Sequence, residues 1–122
     1  DVEGKDVIVI DDMISSGDSC FDVAKELKKR KAGRIFICAT FGLFTNGLKK
    51  FDEAYESGLI YRVITTNLIY QTDELLSKPY YISADMSKYI ALLIDTLNHD
   101  RSISDLLEPT ERIRNIISKY QK

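Results

Sequence analysis

Apolar positions along the chain alternate between two kinds of pattern. Val7 to Ile10 is a continuous β-branched run, which is how a strand buried on both faces reads. Cys20, Val23, Ala24 and Leu27 then recur at helical spacing and mark one apolar helix face. The basic stretch Lys25 to Arg34 closes that helix, where cations suit the helix dipole and Gly33 is the expected stop. Ile35 to Ala39 predicts a second buried strand. Phe44, Leu48, Phe51 and Tyr55 predict a second helix, with Thr45 or Asn46 as candidate caps and Gly58 as its end. Arg62 to Thr65 predicts a third strand and Tyr80 to Ser83 a short fourth. Ile90, Leu93, Ile94 and Leu97 mark a long third helix. Glu108-Pro109 interrupts, and Ile113, Ile116, Ile117 and Tyr120 share one side of a last helix from Pro109 to Lys122.

Strands alternating with helices in this way predict an α/β fold, three-layered, with a mainly parallel sheet, right-handed crossovers and helices on both faces. The apparent central strand follows directly on a turn at Glu3, Gly4 and Lys5, so the chain also reads as a domain whose first part is absent. No internal repeat or long linker divides the 122 residues, a length that suits one domain.

Composition narrows the function. With 17 basic and 19 acidic residues the formal charge is −2, which argues against nucleic acid or an anionic membrane as partner. The basic run KELKKRKAGR reads as a solvated helix end, because no interleaved aromatics offer a stacking platform. No apolar run approaches the roughly 20 residues of a membrane span. With no signal peptide in view, and with Cys20 and Cys38 lacking metal or disulfide spacing, a cytoplasmic location is expected. The single histidine, His99, does not favour a His-rich zinc site. Both cysteines read as packing residues, although a helix N-terminus near Cys20 could lower its thiol pKa.

The chemistry concentrates in VIVIDDMISSGDS, Val7 to Ser19. Ligands of open α/β sheets bind at the carboxyl ends of strands, where Asp11 and Asp12 stand. Ser15, Ser16, Gly17, Asp18 and Ser19 form the following strand-to-helix turn, whose free N–H groups and helix dipole suit an anion. Two carboxylates cannot grip a phosphate, but they can accept from vicinal hydroxyls or hold Mg²⁺. A sugar phosphate fits both halves. Ordinary capping explains the serines equally well, yet leaves the adjacent acids at a strand end unexplained. A receiver domain holding Mg²⁺ on its acids would need an Asp and a Lys at the ends of later strands. Those ends are Ala39-Thr40 and Thr65-Thr66. Thr40, Thr66 and Asn67 could line the site or satisfy turn backbone.

VIVIDDMISSGDS resembles the phosphoribosyl-diphosphate motif of type I phosphoribosyltransferases. ICATFGLFTNGLKKFDEAYESG, ITTNLIY and DMSKYIALLIDTLNHDRSISDLL resemble the remainder of ribose-phosphate pyrophosphokinases, so the likeness covers Asp1 to about Leu107. It implies residues 1–107 as the C-terminal part of a phosphoribosyltransferase-like domain and 108–122 as a helical extension. It implies an enzyme family that makes phosphoribosyl diphosphate and AMP from ATP and ribose 5-phosphate with Mg²⁺, for nucleotide biosynthesis, often as homo-oligomers. Carried over, Asp11 and Asp12 would take the ribose hydroxyls, and Ser15, Ser16, Gly17, Asp18 and Ser19 the 5-phosphate. Two positions depart from the family pattern: Asp18 stands where a small residue is common, and Phe41 where many members have His. The family's ATP site, basic catalytic loop and metal-binding His lie upstream of this motif. The resemblance therefore implies a ribose-phosphate-binding portion that does not catalyse alone. The alternatives are a non-catalytic phosphoribosyl-binding regulatory homologue or a nucleobase phosphoribosyltransferase, the latter disfavoured because no base-binding hood is visible.

Overall fold

A computed structural model describes residues 1–99 and 109–120. They fall into two compact units, Asp1–Asp85 and Met86–Lys122. In the first, β1 (Val7–Ile14), α1 (Asp18–Lys29), β2 (Ile35–Gly42), α2 (Lys49–Glu56), β3 (Arg62–Thr66), α3 (Asp73–Ser77) and β4 (Tyr81–Ala84) follow in order. The strands form one sheet in the order β1-β2-β3-β4, and every pairing is parallel. The second unit contributes α4 (Ser87–Asn98) and α5 (Thr110–Tyr120), neither of which has a buried residue. Within it the Arg112 guanidinium lies 5.6 Å over the Tyr89 ring. The end of the last helix expected at Lys122, and Glu108 of the Glu108-Pro109 break, lie outside the described residues.

Strand order decides which residues are buried. Each crossover moves one strand along in the same direction, and right-handed crossovers made that way set their helices on one face of the sheet. Ile35, Ile37, Ala39, Val63 and Tyr81 point to that face and are buried with Phe21, Ala24, Phe51 and Ala54 of α1 and α2. Phe21 and Phe51 meet with ring centroids 4.8 Å apart. Phe36, Cys38, Ile64 and Ile82 alternate to the other face and are only half-buried or exposed.

The expectation that β1 is central and buried on both faces is therefore overturned. Among the described strands β1 is an edge, with Ile8 62% and Ile10 81% exposed. Sequence alone cannot distinguish a doubly buried run from one with an open side, because both are written in β-branched residues.

Two helix boundaries also move. α1 ends at Lys29 rather than Gly33, because Lys31 itself takes the left-handed turn at φ 62° and closes its N–H on the Lys28 carbonyl. α2 starts at Lys49, not at Thr45 or Asn46, because Phe44 (φ 50°) and Gly47 (φ 76°) are left-handed and no helix can run through them. Gly58, at φ 78°, follows the end of α2 as expected. Short α3 lies in a stretch read as loop. Its signal was Thr72, whose Oγ1 accepts from the Leu75 N–H as an N-cap. The basic helix end is paired off locally, Arg30 with Glu26 at 3.1 Å and Arg34 with Asp6 at 2.6 Å.

One ion pair ties α2 to the last crossover. Lys78 Nζ sits 2.9 Å from Asp52, and the Tyr80 hydroxyl donates to the other Asp52 oxygen at 2.7 Å. Burial alone would push the Asp52 carboxyl up, but the bonds from Lys78 and Tyr80 outweigh it and hold the pKa below its ordinary value. Burial first, and then Asp52, push the Tyr80 phenol up, so it remains a donor.

Two predictions follow from this packing. Ile37→Ala should lower unfolding free energy by about 2–5 kcal/mol, whereas Ile10→Ala should change it by no more than about 0.5 kcal/mol. Urea denaturation of the two variants measures the contrast, and similar losses would contradict an open outer face on β1. For Asp52, a folded pKa below the unfolded one means stabilisation that is fully present above the unfolded pKa and is lost as pH falls through the lower, folded one. Asp52→Asn should therefore flatten the acid side of the stability curve, read as urea midpoints between neutral pH and about pH 3.

Candidate functional site

The carboxyl end of β1 runs straight into a tight turn. Gly17 is the residue before α1, with φ 92°, a left-handed conformation that favours glycine. It also lies against the core: a Cβ at this position would come within 2.6 Å of Phe51 Cζ and 3.0 Å of Phe21 Cε2. Position 17 must therefore be bare for two separate reasons, and the aromatic pair forms the floor of the turn.

The turn encloses a small concavity of about 80 Å³, lined by Asp11, Met13, Ile14, Ser15, Ser16, Gly17, Ser19 and Cys20. The N–H groups of Ser16, Gly17, Ser19 and Cys20 meet no acceptor among the described residues. They are the unsatisfied donors of a helix start, at the positive end of the α1 dipole. Asp11 lines the same hollow, and one oxygen of its carboxylate accepts from the Asp12 N–H at 2.7 Å. The arrangement offers N–H donors for an anion beside a carboxylate acceptor for hydroxyls.

Of the residues singled out from sequence, Asp11, Ser15, Ser16, Gly17 and Ser19 come together around this hollow. Asp12, within β1, is exposed and does not line it. Asp18 turns away to the flank, where Lys50 Nζ on α2 lies 3.1 Å from its carboxylate. The bond from Lys50, its positive charge and the Ser16 hydroxyl hold the Asp18 carboxyl below its usual pKa. The carboxylate that would repel an anion is thus directed out of the turn and matched with a cation, while the Asp18 N–H donates to Ser16 Oγ at 3.3 Å. Asp18 and Lys50 belong instead to a broader hollow of about 590 Å³ between α1 and α2, away from the strand ends, together with Asp22, Lys25 and Glu53.

Neighbouring polar residues serve the frame. The Thr66 hydroxyl donates to the Thr40 carbonyl, and the Asn67 amide donates to Asp85 at 2.9 Å. Gln71 donates to the Tyr81 hydroxyl and accepts from Ser83 Oγ at 2.9 Å, and Tyr81 bonds to buried Thr65. Phe41 is exposed and lines none of this. Burial pushes the Cys20 thiol up to about 11, the reverse of the lowering that a helix N-terminus alone would give, and its Sγ donates to the Gly17 carbonyl at 3.0 Å. Burial likewise raises Cys38.

Two contributors escaped sequence reading. Thr45, expected as a helix cap, bonds to Ser15, and Lys50 neutralises Asp18. The signal for Thr45 was its place just beyond the carboxyl end of β2, the neighbour of β1.

A parallel α/β sheet with a Ser-Gly turn after two aspartates at a strand end is the phosphoribosyltransferase-like arrangement. Residues 1–108 match the phosphoribosyl synthetase-associated domain, and the chain belongs to that family. Over 104 residues it is 31% identical to a ribose-phosphate pyrophosphokinase of Vibrio cholerae and 33% identical to one of Shewanella oneidensis, in each case covering 85% of this chain and 32% of the relative. A crystal structure of phosphoribosylpyrophosphate synthetase from Mycobacterium smegmatis superposes with a TM-score of 0.70 at 26% identity, over 82% of this chain and 32% of that one. The chain thus spans about a third of the length of the relatives it matches. No helix among the described residues is long and apolar enough to cross a membrane.

The doubly constrained glycine gives a direct test. Gly17→Ala should destabilise the chain by about 1–3 kcal/mol more than Gly58→Ala, whose position is left-handed but has nothing within 4 Å of the added Cβ. Urea midpoints compare the two, and equal losses would mean that the Phe51 ring does not press on position 17.

Proposed function

We propose that this chain is the ribose-phosphate-binding portion of a ribose-phosphate pyrophosphokinase. One observation carries the reading: four unpaired N–H groups at the start of α1 share a hollow with the Asp11 carboxylate. The 5-phosphate of ribose 5-phosphate, or of phosphoribosyl diphosphate, takes the N–H groups of the Ser15–Ser19 turn, with Ser16 and Ser19 adding hydroxyls. Asp18 contributes its backbone, its carboxylate being held by Lys50. Asp11 accepts from a ring hydroxyl, and Asp12, exposed beside it, takes the vicinal one. Bonds from N–H groups to an ionised phosphate are about twice as strong as neutral ones, so a few of them fix the ligand.

In this reading ATP, and diphosphoryl transfer to the anomeric hydroxyl, belong to the whole enzyme. Transfer of that kind is mostly positioning and charge neutralisation, and the cradle supplies the positioning of the acceptor sugar. Among the described residues no three His, Cys, Asp or Glu side chains gather to hold a metal. Asp11 and Asp12 alone are a partial set for Mg²⁺, whose role would be to neutralise the diphosphate. The chain by itself binds but does not catalyse, and the whole protein works in the cytoplasm as a homo-oligomer, without nucleic acid or membrane.

Calorimetric titration of ribose 5-phosphate into the chain, with Mg²⁺, tests this. Saturable binding is expected, weakened at least tenfold (about 1.4 kcal/mol) in an Asp11→Asn/Asp12→Asn variant. Equal binding by the variant would remove the sugar role of the aspartates. ATP-dependent formation of phosphoribosyl diphosphate by the pure chain would overturn its catalytic silence.

A further inference from the structure

Ser15, Asp18 and Ser19 are exposed, and the donors of the Ser15–Ser19 turn can hold an anion only if its peptide planes are fixed. Most of what fixes them comes from outside the turn. The Leu43 N–H donates to the Ile14 carbonyl at 2.8 Å, and the Thr45 N–H donates to the Ser15 carbonyl at 3.0 Å. The two hydroxyls, Ser15 Oγ and Thr45 Oγ1, lie 3.3 Å apart. In a trans peptide the carbonyl of one residue and the N–H of the next point in opposite directions. Drawing the Ser15 carbonyl toward Thr45 therefore aims the Ser16 N–H away from Thr45.

The segment that makes these bonds is itself held under strain. Phe44, between Leu43 and Thr45, has φ 50°, a conformation that is unfavourable for a bulky residue and persists only where packing over-determines it. The packing is present. The Phe44 ring lies 5.1 Å from Phe51 and 6.1 Å from Tyr81, both edge-on. It covers Gly42, where a Cβ would come within 2.6 Å of it. Phe51, which clamps Phe44, is also the ring under Gly17. One aromatic side chain thus supports the turn from below and the bracing segment from the side.

We infer that the Thr45 hydroxyl, carried beside Ser15 Oγ by the strained Phe44 backbone, completes the bracing begun by the Thr45 N–H and makes Thr45 a positioning residue for the phosphate-holding conformation of the Ser15–Ser19 turn. It rests on the reading of that turn as the sugar-phosphate cradle, and it adds that the loop after β2 governs how well the turn binds. Thr45 reaches the phosphate half only, through Ser15, and makes no bond to Asp11 or Asp12.

Three chains decide the point: wild type, Thr45→Val, which removes the hydroxyl and keeps shape and N–H, and Thr45→Ser, which restores the hydroxyl. Titration of ribose 5-phosphate and, separately, of inorganic phosphate should show Thr45→Val about fivefold weaker for both ligands, with Thr45→Ser close to wild type and all three melting alike. The Asp11→Asn/Asp12→Asn variant should lose ribose 5-phosphate and retain inorganic phosphate, which separates the two halves of the site. Hydrogen exchange without ligand gives a second reading: the Leu43 amide and the amide of residue 45, which donate to the Ile14 and Ser15 carbonyls, should exchange about fivefold faster in Thr45→Val, after correction for intrinsic rates, and at the wild-type rate in Thr45→Ser, with β3 amides unchanged. Unchanged affinity and exchange in Thr45→Val, or failure of Thr45→Ser to restore them, would overturn the inference. Should wild type bind neither ligand, the cradle reading falls, and the exchange rates still decide whether Thr45 orders the turn.

Discussion

The contact of backbone on ring at Gly17 and Phe51 is the constraint on which the site depends. With no side chain at position 17, the chain turns left-handed directly on the aromatic floor and enters α1 without an intervening loop. That brevity keeps the first N–H groups of the helix in one hollow with Asp11. Any side chain at this point would lift the turn off the core and separate the donors from the carboxylate. The core here is therefore more than a source of stability, because its shape is copied into the spacing of the polar groups above it.

Charge placement follows a similar economy. The strand-to-helix turn has an acid at Asp18, in a position where a carboxylate favours the helix dipole but would oppose a bound anion. Lys50, from the next helix, draws that carboxylate aside. The dipole keeps its acid, and the hollow presents N–H groups. Further along the sheet edge, Gln71, Tyr81, Thr65 and Ser83 bond to one another so that the ends of β3 and β4 are satisfied internally. Among the described residues no buried side-chain polar atom lacks a partner, so the unpaired polar groups of the turn are backbone donors.

The alternation of strands and helices was legible because apolar period changes between 2 and 3.6, and the residues of the turn were legible because Ser, Gly and Asp at a strand end have few other uses there. The burial of β1 was not. Val7 to Ile10 has the composition of a doubly covered strand, while strand order, which no local pattern encodes, leaves Ile8 and Ile10 exposed. Thr45 was misread for a related reason: its neighbours have helical spacing, and only the left-handed Phe44 and Gly47, set by tertiary packing, exclude a helix there. Asp18 stands apart from Asp11 because Lys50 draws its carboxylate to the flank, a tertiary contact that no local pattern encodes.

The unreversed strand order also shapes how the sheet assembles. Val7 pairs with Ile35, Ile37 with Val63 and Val63 with Tyr81, so among the described residues β2, β3 and β4 each join the strand that precedes them in the chain. The entropy of loop closure is then lost in similar, modest steps, one helical crossover at a time. Assembly can proceed from any adjacent pair in either direction, and the turn after β1 reaches its final form only when β2 and the start of α2 are in place to hold it.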